Sequence, residues 1–174
     1  MTNSLLGDAF AHHVWATLRL LDACGALSRE QLETPVEGTY GSILATARHV
    51  VGGDTLYLRW LSQESAPADH ATALDLPALR AMIEHNGVAW SAFLARDPSA
   101  MQVVKDVDEH DGWQRDASVG LRLAQALYHG TDHRSQICTG LTKLGVEPPG
   151  IEVWDFGRET GRVVDIQPVP QPHR

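Results

Sequence analysis

The chain has 174 residues, 43% hydrophobic and 21% charged, the length and balance of one globular domain with a sizeable core. Its formal net charge is −8 and its 14 Lys and Arg are scattered, so phosphate backbones repel it and nucleic-acid binding is disfavoured. No apolar run approaches the roughly 20 residues that cross a bilayer, and the start, MTNSLLGDAFAHH, lacks the basic and apolar regions of a signal peptide, so the expectation is a cytoplasmic protein without a membrane partner.

Leu5, Phe10, Val14, Leu18, Leu21 and Leu27 recur at helical spacing with Trp15 alongside, which predicts a first helix over residues 4–27, weakened near its end by Gly25. Ser28 to Gln31 reads as a capping box for a short helical turn, and Pro35 with the Gly38–Gly41 stretch reads as a loop. A second long helix is expected over 42–63, through Ile43, Ala47, Val50, Leu58 and Leu61, followed by a polar, alanine-rich linker from Ser65 to Thr72. Asp75 can cap a third, with Pro77 tolerated in its first turn. It runs through Leu79, Ile83, Trp90 and Phe93 to a stop near Asp97-Pro98.

The texture then changes. Residues 102–107 and 113–118 flank a turn at Gly112, which reads as a short hairpin. Ser118 opens a fourth long helix to about Leu144, ended by Gly145 and Pro148-Pro149. Ile151, Val153, Trp154 and Phe156 suggest a short helix packed on the rest, and the tail from Gln167 is proline-rich. Four long helices with one amphipathic face each make an all-α, antiparallel four-helix bundle over residues 1–160, with residues 161–174 as a Pro-rich tail. Cys24 and Cys138 form no CxxC pair and fall in helical patterns, where a free Cys acts as a small apolar side chain.

Nine histidines are the unusual count. His129 and His133 stand at i and i+4, one turn apart on one helix face, a spacing that lets two imidazoles reach one metal. Ala126, Ile137, Gly140 and Leu144 share that face, so it reads as buried. Buried imidazoles need partners; a metal would supply them, and so would Ser, Thr or backbone carbonyls. His49 lies among Ala45, Thr46, Gly52 and Gly53, small neighbours that leave room for a ligand or for close helix contact. His12, His13, His70, His85, His110 and His173 read as mostly solvated, with a place near the pocket left open for His12 or His13. Cys138 is about 140° around the helix from His133, poorly aimed for the same ion.

Residues 15–22, 27–32, 41–50, 126–137 and 144–149, with His49 and then His129-Gly-Thr-Asp-His133-Arg-Ser-Gln136 among them, resemble the DinB-like family of damage-inducible proteins. The resemblance covers most of residues 10–160. It implies a four-helix bundle, commonly dimeric, with a metal held by His49, His129 and His133. Relatives include mycothiol-dependent maleylpyruvate isomerases and bacillithiol transferases, which act on low-molecular-weight thiols. Ser135 stands where many relatives have Gly, and residues 65–117 match no motif.

Three neutral imidazoles would leave a cation its full charge and open positions, the pattern of a catalytic site. Zn²⁺ and Ni²⁺ both suit such ligands. Gln125, Asp132 and Gln136 lie near the same face and could orient ligands, although Asp132 reads equally as a solvent-facing residue. The expectations are therefore a metal-dependent enzyme for a small molecule, most simply a thiol-linked transferase or isomerase and a homodimer, or a non-catalytic dimeric bundle that binds metal or ligand.

Overall fold

The computed structural model describes residues 5–63, 71–107 and 112–167. Its helices are α1 (Leu5–Cys24), α2 (Arg29–Glu33), α3 (Ile43–Ser62), α4 (Leu76–Leu94), α5 (Val119–Lys143) and α6 (Val153–Glu159), with a 3₁₀ turn at Ala71–Ala73. Strands β1 (Val103–Val107) and β2 (Gln114–Ser118) form an antiparallel pair, Val103 opposite Ser118 and Val107 opposite Gln114. The chain is thus mostly helical, and the expected hairpin is present.

The elements start where side chains can satisfy the first free backbone N–H groups. Ser42, Asp75 and Ser118 each accept from the backbone N–H three residues on. Ser28 and Gln31 complete the expected capping box before α2. Gly112 and Gly145 have φ of +72° and +74°, a region in which a Cβ is strained. Helix α1 ends at Cys24, three residues short of the expected 27, because Gly25 follows. Most of the anticipated linker, and the tail beyond Gln167, lie outside the described residues.

The four long helices form a bundle in which α3 packs on α5 and α4, and α1 packs on α4 and α5. Arg80 of α4 bonds Asp22 of α1, whereas the Trp90 ring lies 4.3 Å from that of Phe10, so α1 and α4 run antiparallel. The core has two parts. One gathers Leu20, Leu21, Ile43, Val51, Leu79, Ile83, Ile137 and Leu141. The other gathers Phe10, Leu58, Trp90, Phe93, Val104, Val119 and Leu123 toward the hairpin. Phe156 anchors α6 on the bundle, its ring 5.5 Å from that of Trp15. No helix is long and apolar enough to cross a membrane among the described residues.

Candidate metal centre

Helices α3 and α5 lie side by side and antiparallel: His49 meets His129, Tyr57 meets Gln125, and Trp60 meets Arg122. Their seam brings His49, His129 and His133 together, with one potential ligand atom of each within 4.8 Å of the others. His49 Nε2 and His129 Nε2 are 2.9 Å apart. With metal–nitrogen bonds of about 2.0–2.1 Å, nitrogens at that separation subtend roughly 90°, so the pair stands at the spacing of neighbouring ligands of one ion. The three ring centroids lie 4.6–4.7 Å from one another. The histidines are positioned to hold a metal ion.

Gly53 makes the approach possible. A Cβ there would fall 2.8 Å from His129 Cε1, inside van der Waals contact. Gly52, grouped with it in the sequence reading, faces elsewhere, against Ala71 on the 3₁₀ turn.

The electrostatics suit a cation. Burial, then the neighbouring His49 and His133, push the His129 pKa down to about 4. Burial, then His133, lower that of His49. Both imidazoles are therefore neutral near pH 7 and keep a lone pair. A neutral imidazole has one N–H and one acceptor nitrogen, so the His49–His129 bond uses one lone pair and leaves others in the cluster without a proton to accept.

A set of polar partners orients the rings. Gln136 Oε1 lies 3.2 Å from His133 Nδ1 and accepts from the Tyr40 backbone N–H at 2.7 Å. With Nδ1 donating to Gln136, Nε2 is the lone-pair nitrogen of His133. Gln136 Nε2 in turn donates to Asp132 at 3.2 Å. Asp132 is itself exposed and touches the histidines only through Gln136. Tyr40 stacks on His49 with centroids 4.0 Å apart and an interplanar angle of 15°, and meets His133 edge-on. Tyr57 meets the His129 ring from the other side; its hydroxyl accepts from Gln125 at 3.3 Å, and burial raises its pKa.

His13 overturns one expectation. It is buried, 1% exposed, not solvated. Its Nδ1 lies 2.9 Å from Arg134 Nη1, and its Nε2 lies 3.0 Å from Asp54 Oδ1. A guanidinium can only donate, so Nδ1 accepts and the Nε2–H donates to Asp54. Trp90 Nε1 also donates to Asp54, at 2.9 Å. This chain of bonds ties α1, α3, α4 and α5 together directly behind the seam, since Asp54 follows Gly53 and Arg134 follows His133. His12 is half-buried, its Nε2 2.8 Å from the Ile151 carbonyl. His85 is exposed as expected; His70, His110 and His173 fall outside the described residues.

Neither thiol joins the cluster. Burial pushes Cys24 up to about 12 and raises Cys138 as well. An apolar groove of about 630 Å³ between α1 and α4, lined by Phe10, Val14, Gly87 and Trp90, shares no residue with the histidines.

Comparison with known families bears on this geometry at once: the DinB family matches residues 1–167. The chain belongs to the DinB family. A search of curated proteins finds no match. Tyr57 is signalled in the sequence only by its place eight residues after His49 on the same helix face. Tyr40 has no such signal, since its loop carries no periodicity.

Proposed function

We propose that this DinB protein is a metal-dependent enzyme in which His49, His129 and His133 hold one divalent transition ion, zinc or nickel, and a small thiol enters the remaining open side. The observation that carries the reading is the convergence of three imidazoles from two helices with no carboxylate among them. A cation held by neutral ligands supplies undiminished Lewis acidity and favours ionisation of a thiol or water placed against it near neutral pH.

The chain's own residues do the rest. Gln136 fixes the His133 ring by accepting from Nδ1, and Asp132 fixes Gln136. Tyr40 covers the His49 face, while the protonated Tyr57 hydroxyl beside His129 can donate to an anion that develops at the open side. Cys24 and Cys138 stay as thiols away from the cluster, so the sulfur is external, as in the thiol-dependent transferases and isomerases that the motifs resemble. The reaction class is group transfer or isomerisation on a small molecule in the cytoplasm, by a homodimer.

The test uses metal-loaded protein with a panel of cellular thiols and electrophilic acceptors, conjugation being followed against His133→Ala. Turnover that collapses in the variant is expected. Equal rates across the panel would defeat the enzymatic reading, and thiols that leave the spectrum of a cobalt-substituted site unchanged would defeat the thiol itself. Ligand affinity without turnover would favour the non-catalytic binding bundle. Light scattering at micromolar concentration tests the dimer against the 19.0 kDa chain mass.

A further inference from the structure

The α3/α5 seam continues past the imidazoles. Arg122 stands seven residues before His129 on α5, two turns away on the same face. Trp60 holds the matching place on α3, eleven residues after His49. Tyr57 and Gln125 meet between the two ends. His49, Gly53, Tyr57, Trp60 and His129 are all half-buried, so the seam reaches solvent at these positions. Asp54, beside Gly53, is turned away into the core, to His13 and Trp90.

Arg122 is 6% exposed. Its Nη2 donates to the carbonyls of Val104 and Arg115 at 3.3 and 2.9 Å, which pins the guanidinium to the hairpin. Its Cζ lies 4.9 Å over the Trp60 ring. The Nε of Arg122 and the Nε1 of Trp60 are both buried and make no hydrogen bond among the described residues. Among the described residues no carboxylate pairs with Arg122. Buried guanidinium groups ordinarily sit with an acid, because an uncompensated interior charge is costly, and buried N–H groups ordinarily find an acceptor. Among the described residues, then, one positive charge and two N–H donors at one end of the seam lack an anion. A small planar carboxylate supplies the charge and the acceptors together, and Arg suits it better than Lys would.

We propose that the Arg122–Trp60 end of the α3/α5 seam is a carboxylate subsite, and that the small molecule taken by the histidine site is an acid. Its carboxylate lies about 10 Å, two turns of α5, from the end that faces the imidazoles. Tyr57 and Gln125 offer polar contacts to its middle. The link to the imidazoles rests on the metal reading above; the carboxylate subsite itself does not.

The subsite is tested first in the metal-free full-length chain. Hexanoate is titrated while the N–H resonances of Trp60 Nε1 and Arg122 Nε are followed by NMR. Both are expected to shift saturably with hexanoate and to stay put with hexanol. Arg122→Met is expected to abolish the response. Because that change also releases the hairpin, Trp60→Phe serves as a second variant: it keeps the ring under the guanidinium and removes only the indole N–H, and should weaken binding several-fold. Resonances that ignore hexanoate, or follow hexanol equally, overturn the subsite and leave the histidine reading intact.

The second arm uses cobalt-loaded protein with mercaptohexanoate and mercaptohexanol. The acid should bind about tenfold more tightly, the worth of one hydrogen bond to a charged group, and Arg122→Met should erase that difference. Equal binding of acid and alcohol to the wild type overturns the span. If hexanoate shifts the resonances but neither thiol alters the cobalt spectrum, the carboxylate subsite stands and the thiol reading fails.

Discussion

Two polar clusters stand back to back in this bundle, one around the single His13 and one of three histidines, and they differ in completeness. In the core, His13 has a cationic donor on Nδ1 and a carboxylate acceptor on Nε2; every polar atom of the ring is used by the chain itself. On the seam, His49, His129 and His133 share one bond between ring nitrogens and one to Gln136, and among the described residues no carboxylate joins their group. The first arrangement is closed and structural. The second is positioned to hold a metal ion. Burial alone therefore does not tell a ligand histidine from a core histidine; the partners of its two nitrogens do.

The sharpest way to break this contrast is to open the closed cluster. Asp54→Leu removes the acceptor of both His13 and Trp90 and leaves Arg134, 2% exposed, without its nearby counter-charge. Breaking a buried charge pair in this way costs about 3–5 kcal/mol, readable as a lower midpoint in urea. A loss below about 1 kcal/mol would mean that the network contributes little to holding the four helices. Alanine at His49, His129 or His133 acts on the other ledger. Each should lower metal affinity by at least about 100-fold, more than outer-shell changes typically do, with little effect on the urea midpoint of the metal-free chain. Full metal occupancy by elemental analysis in all three variants would refute this ligand set.

A smaller effect is expected at Gln136, which joins the seam to its loop. Gln136→Leu leaves the three imidazoles in place but frees the His133 ring to rotate and releases the Tyr40 N–H. Loss of such an orienting partner typically weakens metal binding 10–100-fold. Calorimetric titration with Zn²⁺ would show it, and an unchanged affinity would mean that packing against Tyr40 suffices to aim the ring.

The same contrast explains what could be read from the sequence. The long helices and the hairpin were legible because local chemistry marks them: Ser42, Asp75 and Ser118 cap, Gly112 and Gly145 turn. The pair His129 and His133 was legible because one helix holds both at a fixed spacing. His49 needed the family pattern, since convergence across two helices has no local signature. His13 was misread for a related reason. Its phase matches Phe10, Thr17 and Leu20, all buried, yet adjacent His12 and His13 look polar, and the partners that make burial tolerable, Asp54 and Arg134, come from distant helices. Gln136 was noticed as a face residue, but its link to Tyr40 depends on how the loop folds back over α5.

Acid titration separates the clusters most gently. In the folded, metal-free chain His129 takes a proton only near pH 4, because burial and its two histidine neighbours disfavour the charge; in the unfolded chain it takes one near 6.5. The unfolded state thus binds more protons between those values, and stability rises with pH across that window. Above about pH 6.5 the contribution is fully present; it is lost as pH falls toward 4, and below that no more is lost through this group. His49, lowered for the same reasons, acts in the same direction. Melting temperatures of the metal-free wild type should therefore fall more steeply below pH 6.5 than those of His129→Gln, which has no group to titrate there. Metal shifts the balance further, since protons and cation compete for the same lone pairs. At His129, which resists protonation in the folded chain, that competition should set in below the ordinary histidine range. Parallel melting curves for the two proteins between pH 4 and 7 would show that the seam relaxes to solvate its charge, and with that the distinction between an open cluster and a closed one would lose its electrostatic half.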